Sequence, residues 1–124
     1  MSVKKIAIPG VDSENGLKLC DGDTGIYLQS LRLFTVNVPE TLDKLRNVTE
    51  NALPDYKVGV HSIKGMSVYI GAEKARTSAK ELEDLAKEGD FNGVLAKNEG
   101  FIKYIETIIA DIKAWLDKNS SSFA

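Results

Sequence analysis

The stretch FIKYIETIIADIKAWL, residues 101–116, decides the fold class of this chain. Its apolar side chains recur every three or four residues, and charged residues such as Lys103 and Asp111 occupy the other side. This period is typical of an amphipathic α-helix and not of a β-strand, and the apolar stripe must be covered by other secondary-structure elements. The stripe consists of Phe101, Ile102, Ile105, Ile108, Ile109, Ile112 and Leu116.

Toward the N-terminus, the helical period continues back to about residue 12 without a convincing alternation of the strand type. The side chains of Asp12 and Ser13 can cap a short helix that ends near Cys20. A second N-cap, Asp23, predicts a long helix to about residue 38. Because proline favours the first turn of a helix, Pro39 is predicted to open a new helix, after a tight turn, that runs to about residue 52.

Two further helices are predicted between this region and the C-terminal helix. Leu53-Pro54-Asp55 breaks the pattern, and a helix follows over residues 56–70, ended by Gly71. The next helix covers 72–88. Amphipathic helices joined by short connections bury their stripes most economically as an antiparallel bundle. We predict an all-α fold, an antiparallel up-down four-helix bundle with a short extra N-terminal helix.

Length and composition indicate one soluble globular domain. The chain has 124 residues, of which 43% are hydrophobic and 27% are charged, so a single core is the simplest organisation. We expect one domain over 1–124, with an entry segment at 1–22, the bundle at 23–118 and a frayed tail at 119–124.

The same composition excludes several classes of function. A net charge of −2 argues against nucleic acid or an anionic membrane surface as the partner. Cys20 is the only cysteine and His61 the only histidine, which argues against a disulfide framework and a zinc site. No run approaches the roughly 20 apolar residues that span a bilayer. We expect a cytoplasmic protein without a metal site or a resident cofactor.

His61 is the residue of greatest chemical interest. Val60, Ile63 and Ser67 share the inward face of its helix, so His61 should be exposed. An exposed imidazole has a pKa of about 6.5, so most molecules at pH 7 offer an unprotonated ring nitrogen as a nucleophile. A lone histidine on a helix surface is, however, most often without a function.

Lys64 and Gly65 lie one helical turn beyond His61 and add to this interpretation. Lys64 could offset the charge of a phosphoryl group on His61, although alone it is a solvated charge. A glycine within a helix costs roughly 0.5–1 kcal/mol relative to alanine, and its missing side chain would let another protein approach His61. Gly65 could equally be a packing glycine at a helix crossing.

His61-Ser62-Ile63-Lys64-Gly65 resembles the His-x-Leu-Lys-Gly signature of histidine-containing phosphotransfer (HPt) domains, with isoleucine where that family commonly has leucine. Residues 8–12 are similar to the family's frequent opening, 70–72 to the turn after its histidine helix, and 79–90 to its next helix and turn. The resemblance covers nearly the whole chain.

The resemblance implies a phosphorelay carrier. His61 would accept a phosphoryl group from a response-regulator receiver aspartate and pass it to another receiver, while Lys64 offsets charge on the phosphoryl oxygens. Mg²⁺ and most of the transition-state stabilisation would come from the receiver's acidic pocket. Such a domain performs no catalysis by itself, so whether it is called an enzyme is a matter of definition.

A second apolar stripe in the helix after Asp23 predicts a partner surface. Its core stripe is Tyr27, Leu31, Phe34 and Val38, and only one stripe can face the core. The second stripe is instead a candidate docking patch for the receiver, unless the entry segment from Ile8 to Cys20 covers it. The patch consists of Ile26, Leu33 and Val36, with Val68 from the histidine helix.

Three interpretations of the function remain open at this point. The chain is a phosphorelay carrier that acts as a monomer, a helical interaction or dimerisation module without phosphotransfer, or a part of a larger, possibly hybrid, sensor kinase. Trp115 is interpreted as a core residue and Cys20 as a small buried apolar residue.

Overall fold

A computed structural model describes residues 6–119, and within this range the chain is a bundle of α-helices. Residues 1–5 of the predicted entry segment and 120–124 of the predicted tail lie outside the described part. Asn119, which we placed in the tail, is the last residue of the last helix. The helices are α1 (Ser13–Leu19), α2 (Thr24–Leu45), α3 (Leu53–Ile70), α4 (Glu73–Lys87) and α5 (Phe91–Asn119), with a 3₁₀ turn at Glu50–Ala52.

The four long helices form the predicted antiparallel bundle. Helix α3 packs against α2 and α4, α5 packs against the other sides of α2 and α4, and α1 lies mainly against α3. The antiparallel course of α2 and α3 is visible at both ends. The hydroxyl of Tyr27, near the start of α2, donates to the carbonyl of Ile70 at the end of α3 at 2.8 Å. The end of α2, at Leu45, meets Gly59 near the start of α3.

The predicted helix break at Pro39 is wrong, because α2 continues through this residue to Leu45. A proline inside a helix costs about 3 kcal/mol or more. However, Val38, Leu42 and Leu45 continue the buried stripe of α2 in phase, each with at most 1% of its surface exposed. Burying each such side chain is worth about 1.5–3 kcal/mol, which outweighs the cost of the proline. The two segments predicted on either side of Pro39 are therefore largely one helix, and the bundle has four long helices.

The start of α3 also differs from the prediction. The helix begins at Leu53, so Leu53-Pro54-Asp55, which we interpreted as a break, forms its first turn. Pro54 lies in that turn, where the helix does not need a donor from the proline nitrogen. The side chain of Leu53 is buried, and its packing extends the helix one turn toward the N-terminus.

A buried polar cluster joins three helices near this end of α3. The hydroxyl of Tyr56 donates to Oδ1 of Asn98 at 2.8 Å, and Nδ2 of Asn98 donates to the carbonyl of Leu45 at 2.9 Å. The cluster satisfies a carbonyl of the last turn of α2, which has no partner within its own helix. It also holds α2, α3 and α5 in one register.

The entry segment holds the opposite end of α3. The backbone N–H of Asp12 donates to the carbonyl of Gly71 at 2.8 Å. Gly71 has φ +79°, and a Cβ there would lie 2.1 Å from the carbonyl oxygen of Asp12, so only glycine fits this close approach. With both ends held, α3 presents a defined outer face. None of the helices within residues 6–119 is long and apolar enough to cross a membrane.

Candidate functional site

His61 lies on the outer face of α3, where its side chain is 65% exposed. The residues predicted to point inward from the same helix, Val60, Ile63 and Ser67, are completely buried. The helical period therefore placed the imidazole correctly at the surface.

Glu83, on α4, contacts both His61 and Lys64. Its Oε2 lies 2.5 Å from Nδ1 of His61, and its Oε1 lies 2.6 Å from Nζ of Lys64. One carboxylate thus bridges the two residues that the sequence had singled out, and it brings the imidazole and the cation together. The side chain of Glu83 is only 16% exposed, so this is the inner wall of an otherwise open site.

We did not predict a role for Glu83 from the sequence. It follows Leu82 at the edge of the buried stripe of α4, and such a position is usual for a solvated acidic residue. The sequence pointed to Glu83 only indirectly, since the edges of α3 and α4 must meet if the two helices are neighbours. Which residue of α4 lies opposite His61 depends on the register between the two helices, and the sequence does not reveal this register.

The electrostatics of the bridge keep Glu83 ionised. Desolvation by burial raises the pKa of Glu83, but the hydrogen bonds from Lys64 and His61 lower it more, so the pKa falls below its usual 4.5. An ionised carboxylate only accepts hydrogen bonds. Nδ1 of His61 must therefore carry the proton that it shares with Glu83, and in the neutral ring the lone pair is on Nε2.

Gly65 lies beside His61 and faces open space. A Cβ built on Gly65 would have no heavy atom within 4 Å, so the glycine is not required by a helix crossing. Gly59 of the same helix is different, since its Cβ would lie 2.8 Å from Cδ2 of Leu45. The contact between α2 and α3 thus accounts for Gly59 and leaves Gly65 without a packing role.

Exposed apolar side chains lie on both α2 and α3. The entry segment does not cover the candidate docking patch, whose four side chains are 38–63% exposed. Two further residues of α3, Val58 and Tyr69, are 66% and 60% exposed. Val58 lies seven residues before Gly65 and Tyr69 lies four residues after it, so both share the face of Gly65. This helical spacing could have identified them as surface residues from the sequence. We call the whole set the apolar surface: Ile26, Leu33, Val36, Val58, Val68 and Tyr69.

The remaining sequence predictions concern the core. Trp115 is partly buried and packs against the core, and Cys20 is buried. Among residues 6–119, no group of three or more histidine, cysteine, aspartate or glutamate side chains could hold a metal ion.

Comparison with known proteins identifies the family. The family model described as "Hpt domain" matches residues 29–117, well over half of the chain, and this range contains His61, Lys64, Gly65 and Glu83. No curated protein and no solved structure matches the chain. Hpt domains are phosphotransfer carriers of two-component signalling and interact with the receiver domains of response regulators. The chain belongs to the Hpt domain family.

Proposed function

We propose that His61 accepts a phosphoryl group from the phospho-aspartate of one receiver domain and passes it to the aspartate of another. The contact between Nδ1 of His61 and Glu83 carries this proposal. It assigns the proton to Nδ1 and leaves the lone pair on Nε2, which makes Nε2 the nucleophile. It also orients the imidazole, so that part of the entropic cost of positioning is met before the receiver binds.

Lys64 supports the phosphoryl group. Its Nζ is held by Glu83 one helical turn from His61, so a cation is positioned near the nucleophile before transfer begins. The phosphoryl oxygens would attract this ammonium group. Mg²⁺ and most of the transition-state stabilisation would come from the acidic pocket of the receiver, as the family resemblance implies.

Gly65 and the apolar surface serve the docking of the receiver. The open space beside Gly65 lets the partner's aspartate come within bonding distance of His61. The side chains of the apolar surface are exposed and available to the receiver, and apolar patches on soluble domains often mark partner surfaces. We further propose that the chain acts in the cytoplasm as one monomeric domain, free or as a part of a hybrid sensor kinase.

The test is incubation of the chain with a phosphorylated receiver, followed by measurement of label that is labile in acid and stable in base. We expect wild type to be labelled and His61→Gln to be unlabelled with an unchanged circular-dichroism spectrum, because an exposed substitution changes stability by less than about 0.5 kcal/mol. Equal labelling of both proteins would exclude His61 as the acceptor. Binding of receivers without any labelling would instead support a helical interaction module.

A further inference from the structure

The contact between His61 and Glu83 constrains the phosphorylated state as well as the free state. When Nε2 forms a bond to phosphorus, the second ring nitrogen, Nδ1, either keeps its proton or becomes an acceptor. An unprotonated Nδ1 would place its lone pair 2.5 Å from Oε2 of an ionised carboxylate. Two acceptors at this distance repel each other, whereas a protonated Nδ1 gives a charge-assisted hydrogen bond.

We propose that Glu83 keeps the proton on Nδ1 of His61 while Nε2 carries the phosphoryl group, so that the carrier form is a phosphoryl-imidazolium. This inference rests on the proposed function of His61 and adds the role of Glu83 as a positioning residue.

The bonds and charges balance without an additional proton donor. In the forward step, the lone pair of Nε2 forms the N–P bond, and the P–O bond to the receiver aspartate breaks with its electron pair returning to that carboxylate. In the reverse step, the N–P electrons return to Nε2, and the leaving group is the neutral imidazole with its proton on Nδ1. If Nδ1 had lost that proton, the leaving group would be an imidazolate anion, which is far less stable.

The charges around the site identify Glu83 as the group that can hold this proton. On α3, Lys57 and Lys64 lie four residues before and three after His61, and on α4, Lys80 and Lys87 lie three before and four after Glu83. These cations disfavour a positive ring. Lys80 is bound to Asp84 at 3.0 Å, one turn along α4.

Among residues 6–119, His61 forms no ion pair with a carboxylate other than that of Glu83. Helix α2 packs against the opposite flank of α3, at Gly59, so it does not contact the imidazole there. Within the described part of the chain, Glu83 is the acidic side chain that contacts His61. Its negative charge is therefore the one that stabilises the protonated ring.

The experiment separates the charge of Glu83 from its shape. Glu83→Gln keeps an oxygen that can accept from Nδ1 in the free state but removes the negative charge. Glu81→Gln is the matched control, because Glu81 lies on the same helix and pairs with Lys97 instead of His61. Each chain is labelled chemically with phosphoramidate, a small phosphoryl donor, so that labelling does not depend on a receiver. A His61→Gln chain shows which label belongs to His61.

Two properties of the labelled chains are then measured between pH 6 and pH 9. The first is the protonation of Nδ1, from the ¹⁵N shifts of the phosphorylated ring, and the second is the rate at which the label is lost. In wild type and Glu81→Gln, we expect Nδ1 to stay protonated to a higher pH than in a short phosphohistidine peptide of residues 57–65. In Glu83→Gln, Nδ1 should lose its proton at lower pH, and label loss should slow by about tenfold per pH unit above that point.

The outcomes distinguish this inference from the proposed function. A wild-type phosphorylated ring that titrates like the peptide would overturn the role of Glu83, even if Glu83→Gln failed to fold. The same conclusion would follow if Glu83→Gln titrated like wild type. Neither result would affect receiver-dependent labelling of His61. If phosphoramidate does not label the wild-type chain, a phosphorylated receiver is used to label it, and failure of both donors would overturn the proposed nucleophile and this inference with it.

Discussion

Gly65→Ala offers the sharpest test of the interpretation that the space beside His61 is kept open for a partner. Alanine is favoured over glycine inside a helix by about 0.5–1 kcal/mol, and a Cβ at residue 65 would meet no heavy atom within 4 Å. The whole propensity gain should therefore appear as stability. For a domain of this size, it corresponds to a rise in Tm of about 2–4 °C.

Gly59→Ala is the matched control, because it lies in the same helix and would gain the same propensity. Its Cβ, however, would lie 2.8 Å from Cδ2 of Leu45, so this buried side chain, 1% exposed, would have to shift. Overpacking of this kind costs about 1–3 kcal/mol, so we expect Gly59→Ala to be less stable than Gly65→Ala and no more stable than wild type. Thermal and urea unfolding, followed by circular dichroism, measure both changes.

Transfer should change in the opposite direction from stability at residue 65. In Gly65→Gln a long side chain would stand beside His61, where the receiver must come to bonding distance. We expect its Tm to equal or exceed that of wild type, while transfer from a receiver falls at least about tenfold and labelling by phosphoramidate changes much less. Loss of stability in Gly65→Ala and Gly65→Gln, or normal transfer in Gly65→Gln, would refute the reasoning.

Three further predictions concern the site and the core. Lys64→Ala should slow transfer within the receiver complex at least about tenfold while the Kd for the receiver stays nearly unchanged, and single-turnover kinetics separate the two quantities. Asn98→Ala should lower the free energy of unfolding by about 2–4 kcal/mol in urea titrations, because the Tyr56 hydroxyl and the Leu45 carbonyl lose their buried partner. The pKa of Glu83 is lowered in the folded state, so its contribution to stability is present above its unfolded value of 4.5 and is lost as pH falls through the lower folded value. Wild type should therefore lose more stability than Glu83→Gln between pH 5.5 and pH 3, and equal losses would contradict the ionised bridge.

The parts of the fold that depend on neighbouring residues in the chain were predictable. The spacing of Tyr27, Leu31, Phe34 and Val38 identified the buried face of α2, and all four side chains are buried. The same period placed His61 at the surface. These predictions succeed because a helix repeats every 3.6 residues, so the sequence alone determines which side chains share a face.

Local signals failed where burial competed with them. In the sequence, Pro39 and Pro54 both signal a helix boundary, yet both lie within helices. Proline has a fixed local cost at Pro39, whereas the compensating burial of Leu42 and Leu45 depends on what the other helices place against them. The residues around a proline reveal the local cost of the proline, but they do not reveal the burial that compensates for it.

The chemistry of the site divides in the same way. The sequence by itself determined an all-α chain with an exposed histidine, a lysine one turn away and a glycine beside them, because these relations lie within one helix. Only the tertiary structure decided that Glu83 of α4 lies against both His61 and Lys64, and that Gly65 faces open space while Gly59 faces Leu45. These contacts depend on the register between neighbouring helices, which is set by the packing of the entire core and not by any local pattern.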